Sequence, residues 1–195
     1  MLSLSEGKEL VKLARKTVEN YFVDRTPSIK ETKFNEKKGV FVSIHTYPDH
    51  ELRGCIGYCY PYYPLGEAVQ RASISAAFGD PRFSPMEKDE LNKIVFEVSV
   101  LTEPEIIKVK NTKEYLQKIK IGKDGLMIEY GHLYKGLLLP QVATEYDWNC
   151  ETLLEHLCMK AGLVVDTWLD PKTKIFKFQT KIFKEKKPNG EIIQT

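Results

Sequence analysis

In the stretch ELRGCIGYCY, Glu51 to Tyr60, an arginine, two cysteines and two glycines sit inside a run that otherwise reads as a strand. Strand side chains alternate between faces, so Arg53, Cys55, Gly57 and Cys59 share one side, while Leu52, Gly54 and Ile56 share the other. A thiol two residues from a guanidinium is a candidate nucleophile or ligand, because a neighbouring positive charge lowers the thiol pKa toward neutrality. The preceding run GVFVSIHT, Gly39 to Thr46, forms a hairpin with it, and pairing Val42 with Ile56 brings His45 to the Cys55 side. Glu97, on the polar side of NKIVFEVSVL, adds a carboxylate if its strand joins the same sheet. Cys55, Glu97 and His45 would then be a thiol, a carboxylate and an imidazole available for acid/base work.

A plainer account stands beside this one. Cysteine is among the most buried residue types and fills small spaces, and a strand glutamate is commonly solvated or ion-paired. No sequence-local base and orienting group completes a nucleophile triad around Cys55. Both accounts stay open at the level of sequence.

Glycine inside a strand marks a bulge or a close approach. Gly54 falls on the apolar side, where a helix would come near, and Gly57 leaves a gap between Cys55 and Cys59 that would admit a ligand. With Arg53 holding an anionic group, Gly54 and Gly57 are therefore candidate ligand-binding positions. In GDPRFSP, Gly79 to Pro85, Asp80 and Arg82 would shape the rim of such a site, although Gly and Pro there are also ordinary turn punctuation.

Other candidates are weaker. Cys150 and Cys158 fall on the helical stripe of Leu153, Leu154, Leu157 and Ala161, so they belong to a core, and His156 lies off the stripe and is expected in solvent. No two cysteines have zinc-ribbon spacing and the histidines are scattered, so no metal site is assigned and no cofactor is identified. There is no Walker loop, dinucleotide fingerprint, His-Glu-x-x-His or Gly-x-Ser-x-Gly. The run KTKIFKFQTKIFKEKK, Lys172 to Lys187, is either a basic, aromatic surface for nucleic acid or a strand whose lysines guard its edge, ending in a charged tail. Lys and Arg number 29 against 27 Asp and Glu, a net charge of +2, too mild a bias to call for a polyanionic partner.

The elements that must position these residues follow from periodicity. The 195 residues, 42% hydrophobic, suffice for one large domain or two small lobes. No run is apolar enough to span a membrane and no signal core follows the N-terminus, so a cytoplasmic protein with reduced thiols is expected. Ser3 and Glu6 form a capping box ahead of a helix over about Leu4 to Phe22, followed by the turn-rich DRTPS. A second helix, over YPLGEAVQRASISAAFGDP, carries Ala68, Ala72 and Ala76 along one face. Later come a short helix over SPMEKDEL, a helix over TKEYLQKI, a hairpin around Gly131, a capped helix over NCETLLEHLCMKAGL, and one strand over KIFKFQTKIF.

Hairpin, helix and strand thus occur twice, with GVFVSI, LRGCIG and NKIVFEV matching GLMIEY, YKGLLL and KIFKFQT at an offset of about 80 to 86 positions. The expected fold is α+β: two degenerate repeats in a single domain, residues 1–195, sharing one mainly antiparallel, barrel-like sheet flanked by helices. Its lobes would span about 1–105 and 106–195.

The motifs LRGCIG (Leu52 to Gly57), DPRFSP (Asp80 to Pro85), FEVSVL (Phe96 to Leu101), GLLLPQVATEYDW (Gly136 to Trp148) and KAGL (Lys160 to Leu163) appear in this order over most of the chain. As a set they resemble the AMMECR family, named for a human chromosomal region linked to Alport syndrome, midface hypoplasia and elliptocytosis. Ser84 stands where many members have a second proline. The resemblance implies an α+β fold of two repeats, and the compact length is similar to that of archaeal members. It implies no established reaction. Proposals for the family range from an enzyme to a regulatory factor working with nucleic-acid machinery, and links to Memo-type and radical-SAM proteins imply a modification pathway. An enzyme or small-ligand site at Cys55, and a non-catalytic module binding RNA or a protein partner, both fit.

Overall fold

The Ser3 hydroxyl accepts the Glu6 N–H while the Glu6 carboxylate accepts the Ser3 N–H, and this capping box starts helix α1 (Leu4–Asp24). The computed structural model describes residues 2–26 and 29–195, so Pro27 and Ser28 of the expected DRTPS turn lie outside the described residues. After α1 come β1 (Val40–Thr46), β2 (Leu52–Tyr58), α2 (Leu65–Phe78), β3 (Ile94–Leu101), β4 (Glu105–Ile106), α3 (Tyr115–Lys118), β5 (Gly125–Tyr130) and β6 (Tyr134–Leu138). They are followed by α4 (Pro140–Glu145), α5 (Cys150–Lys160), β7 (Lys174–Phe178), β8 (Thr180–Glu185) and β9 (Ile192–Gln194). Among the described residues no helix is long and apolar enough to cross a membrane.

The chain divides into two units, Met1–Leu101 with Lys181–Thr195, and Thr102–Thr180. In the first, five strands lie in the order β2-β1-β3-β8-β9. Val42 pairs with Ile56 on β2 and with Val98 on β3, the register that alternation demands. Val40, Val42, Ile44, Phe96, Val98 and Phe183 bury one sheet face against Leu10, Ala14 and Val18 of α1 and Ala68, Ala72 and Ala76 of α2. Each large aliphatic contributes about 1.5–3 kcal/mol on burial. Gly54 lies on this helix side, where a Cβ would strike the Ala76 carbonyl oxygen; its absence lets α2 approach the strand. Gly54 thus has the packing role that its place on the apolar side predicts, and it does not face the side that carries Cys55.

A buried ion pair crosses this core. Arg15 Nε and Nη2 donate to Glu185 at 2.7 and 2.6 Å, Arg15 also donates to the Leu91 and Ile94 carbonyls at 3.0 and 2.8 Å, and Glu185 accepts the Phe96 N–H at 3.0 Å. With its donors filled in this way, the guanidinium tolerates removal from water.

In the second unit the order is β4-β7-β5-β6. Leu126, Ile128 and Ile175 pack with Leu153, Leu154, Leu157, Cys158 and Trp168, so Cys158 is a core residue, and Cys150 packs against the same cluster. Asn149 caps α5 by accepting the Thr152 N–H at 2.9 Å, and Gly162, with φ of 73°, follows the helix end. His156 is not in free solvent as expected: its ring stacks on Trp148 at 3.8 Å with 10° between planes. Helix α4, which begins with Pro140 at its first turn, has too few residues for its periodicity to be seen in the sequence.

Two sheets replace the single barrel-like sheet expected, and neither closes, because each runs between two edge strands. The cause is local. KIFKFQTKIF is not one strand: it breaks at Gln179 into β7 and β8, which belong to different sheets. The charged tail then becomes β9, which pairs with β8 through Phe183 opposite Gln194 and Glu185 opposite Ile192. The orders β2-β1-β3 and β6-β5-β7 nonetheless match, and Gly136 makes room for Ala161 much as Gly54 does for Ala76.

Candidate functional site

β1 lies between β2 and β3, so Ser43 has Cys55 opposite it on one side and Glu97 on the other. The three side chains form a row on the sheet face opposite the helices. β2 is an edge strand, and the Cys55 N–H and C=O are both turned off that edge: the N–H donates to Asp80 Oδ2 at 2.9 Å and the C=O accepts from Arg82 Nη2 at 3.3 Å. Cys55 and Ser43 are therefore a pair of the type without mutual backbone bonds, in which side chains approach most closely. The Ser43 hydroxyl donates to Cys55 Sγ at 3.2 Å.

Burial pushes the Cys55 thiol up from its ordinary pKa, against the Ser43 hydrogen bond and the Arg82 charge, which pull it down; Glu97 and Asp80 push it further up. This direction is opposite to the lowering expected from a neighbouring Arg53, which is not among its causes. Arg53 is engaged elsewhere. It sits in a bulge between the Ile44–Gly54 and His45–Leu52 pairs and donates from Nε and Nη2 to Glu90 at 2.7 and 3.0 Å. Glu90 is itself fixed by the Glu87 N–H at 2.7 Å, within a capping box on a 3-10 helix over Lys88–Lys93, which takes in only the KDEL end of SPMEKDEL.

Burial also raises the pKa of Glu97, with Lys184 opposing it, and its carboxyl accepts no hydrogen bond among the described residues. His45 lies two residues beyond Ser43 on the same strand and is pushed down, by burial first and then by the charges of His50 and Lys184. Neither Cys55 nor Glu97 is hydrogen-bonded to it among the described residues. The sheet thus brings Cys55, Ser43 and Glu97 into register, with His45 on their flank.

Asp80 and Arg82 do more than form a rim. Arg82 donates from Nε and Nη2 to Asp80 at 3.0 and 2.8 Å, and these hydrogen bonds, helped by the Cys55 and Arg82 N–H groups, hold the buried Asp80 carboxyl far below the usual carboxylate range. Together the two side chains satisfy the outward backbone of Cys55 as a neighbouring strand would. Phe83 lies against both guanidinium groups, 5.4 Å from that of Arg82 and 5.9 Å from that of Arg53. The space beside Gly57 holds the ring of Phe41, its cross-strand partner, where a ligand had been expected.

Ser43, Lys184 and Glu90 were not among the residues picked from sequence. For Ser43 a signal existed, since the Val42–Ile56 pairing already sets it opposite Cys55. Glu90 and Lys184 come from distant segments that carry no such pattern. Among the described residues no three His, Cys, Asp or Glu side chains are grouped to hold a metal ion.

A family model described as AMMECR1 matches residues 11–183. Protein MJ0810 of Methanocaldococcus jannaschii is 54% identical over 196 residues, spanning 100% of this chain and 97% of its own. A protein of Aquifex aeolicus is 46% identical over 188 residues, spanning 95% of each chain. The crystal structure of the uncharacterized protein PH0010 from Pyrococcus horikoshii has the same fold, with a TM-score of 0.86 and 45% identity over 97% of this chain and 96% of that one. This chain belongs to the AMMECR1 family.

Proposed function

We propose that the sheet face bearing Cys55, Ser43 and Glu97 is an enzyme site in which the thiol adds to an electrophilic carbon of a small substrate. The S–C bond forms as a π bond of that carbon opens and its electron pair moves to the neighbouring atom; the S–H bond breaks, and once the Ser43 hydroxyl turns from Sγ toward Glu97, the thiol proton passes to Ser43 Oγ while the Ser43 proton passes to the Glu97 carboxylate. The observation that supports it is the in-register row with a half-buried carboxyl at its end. A carboxylate with a raised pKa is a stronger base than a solvated glutamate and is closer to the range where acid/base catalysis is efficient near neutrality. It suits a thiol whose pKa burial raises. His45, whose pKa burial lowers, is a second proton acceptor on the same face. We further read the matching strand orders as traces of a duplication, in which the copy holding YKGLLL has no thiol.

Alkylation of the folded protein by iodoacetamide, read from the mass of the Cys55 peptide, tests the site. Cys55 is expected to react in the native state, and more slowly in Ser43→Ala. A Cys55 that is modified only after unfolding would remove the proposal.

A further inference from the structure

We infer that the substrate of this thiol carries a carboxylate or phosphate group and that Arg82 seats it. The inference rests on the thiol site proposed above and names the class of molecule that enters it. Sequence alone favours Arg53 for this task, but both of its carboxylate-facing donors are spent on Glu90 and its side chain is only 14% exposed. Arg82 is likewise bound to a carboxylate through Nε and Nη2, but it differs in exposure and in how deeply its partner is buried.

Its side chain is 55% exposed, whereas that of its partner Asp80 is 2% exposed. Both Asp80 oxygens are already filled. Oδ1 accepts the Arg82 N–H and Nε at 3.1 and 3.0 Å, and Oδ2 accepts the Cys55 N–H and Arg82 Nη2 at 2.9 and 2.8 Å. Arg82 Nη1 makes no hydrogen bond among the described residues. What the pair offers to solvent is therefore a donor edge with its acceptors consumed.

The edge is also fixed in place. Two bonds to Asp80, a third to the Cys55 carbonyl and the Phe83 ring hold the guanidinium, so little side-chain entropy remains to be lost when an anion binds. A planar guanidinium matches the geometry of carboxylate and phosphate oxygens. It is anchored to the backbone of the residue that bears the thiol, so an anion on Arg82 places the rest of a small molecule beside Sγ.

Two alkylating reagents with the same reacting carbon and different charge test this: iodoacetate and iodoacetamide, each forming an S–C bond with loss of iodide. The ratio of their rates at Cys55 is compared with the ratio for free cysteine. The wild-type ratio is expected to favour iodoacetate about tenfold more than free cysteine does, and added salt should shrink the preference. Arg82→Gln should return the ratio to that of free cysteine, and Arg82→Lys should keep part of the preference. A wild-type ratio at or below that of free cysteine, or a ratio unmoved by salt and by Arg82→Gln, overturns the inference; the wild-type and salt measurements need no variant to fold. Reaction with iodoacetamide at an unbiased ratio would sink Arg82 as anchor and leave the thiol site standing. Failure of both reagents to reach Cys55 would sink the site itself.

Discussion

Asp80 Oδ2 accepts the Cys55 N–H at 2.9 Å, at the place where the backbone of a further strand would otherwise dock on β2. Edge strands expose unpaired backbone groups and are usually blunted by charge, bulges or cover. Here the cover consists of two side chains, and it ties the thiol strand to the loop that follows α2.

Asp80→Asn should therefore destabilise the fold at neutral pH by about 2–4 kcal/mol, since a buried charge partner is lost. Because the folded pKa lies below the ordinary aspartate value of 3.8, the stabilisation is complete above that value and is lost as pH falls toward the folded one. Urea melts of the wild type and the variant should converge in acid. A gap independent of pH would contradict the ion-pair account.

Glu97 has the opposite sign. Its folded pKa is above the ordinary 4.5, so its contribution is present below 4.5 and is lost as pH rises through the folded value. Glu97→Gln should be more stable than the wild type at pH 8 and lose that advantage below pH 4.5. Thermal melts across this range check it; a variant less stable at pH 8 would show that the carboxylate has a structural partner.

Gly54→Ala should cost about 1–3 kcal/mol, because the obstacle is the rigid Ala76 carbonyl rather than a movable side chain. Gly162→Ala meets no atom within 4 Å and should cost only the strain of its φ of 73°, about 1 kcal/mol. Denaturant midpoints compare the two. Equal effects would mean that helix approach is not what Gly54 secures.

Removing one partner of the Arg15–Glu185 pair should destabilise by about 3–5 kcal/mol, whereas the apolar double variant Arg15→Met with Glu185→Leu should recover much of the loss. Additive losses in the double variant would mean that the two residues act separately, through the Leu91, Ile94 and Phe96 backbone groups they also satisfy.

Much of this fold was legible because strand alternation and helix stripes are local. Val40, Val42 and Ile44 fixed the register of β1, and with it the side on which Cys55 lies. The break at Gln179 was not legible: alternation continues through it, and only tertiary pairing sends β7 and β8 to different sheets. The candidate site divides in the same way. Cys55 and Glu97 share a face by period, but the choice of Glu90 for Arg53 and of Asp80 for Arg82 is made by loops, whose side-chain directions carry no period.

The proton path is decided by the iodoacetamide alkylation rate of Cys55 at pH 7 in Glu97→Gln against the wild type. As a bystander charge, Glu97 raises the thiol pKa, so its removal would speed alkylation. As the acceptor of the thiol proton through Ser43, its removal slows alkylation about tenfold or more. A slower variant is the expected result; a faster one would contradict the relay.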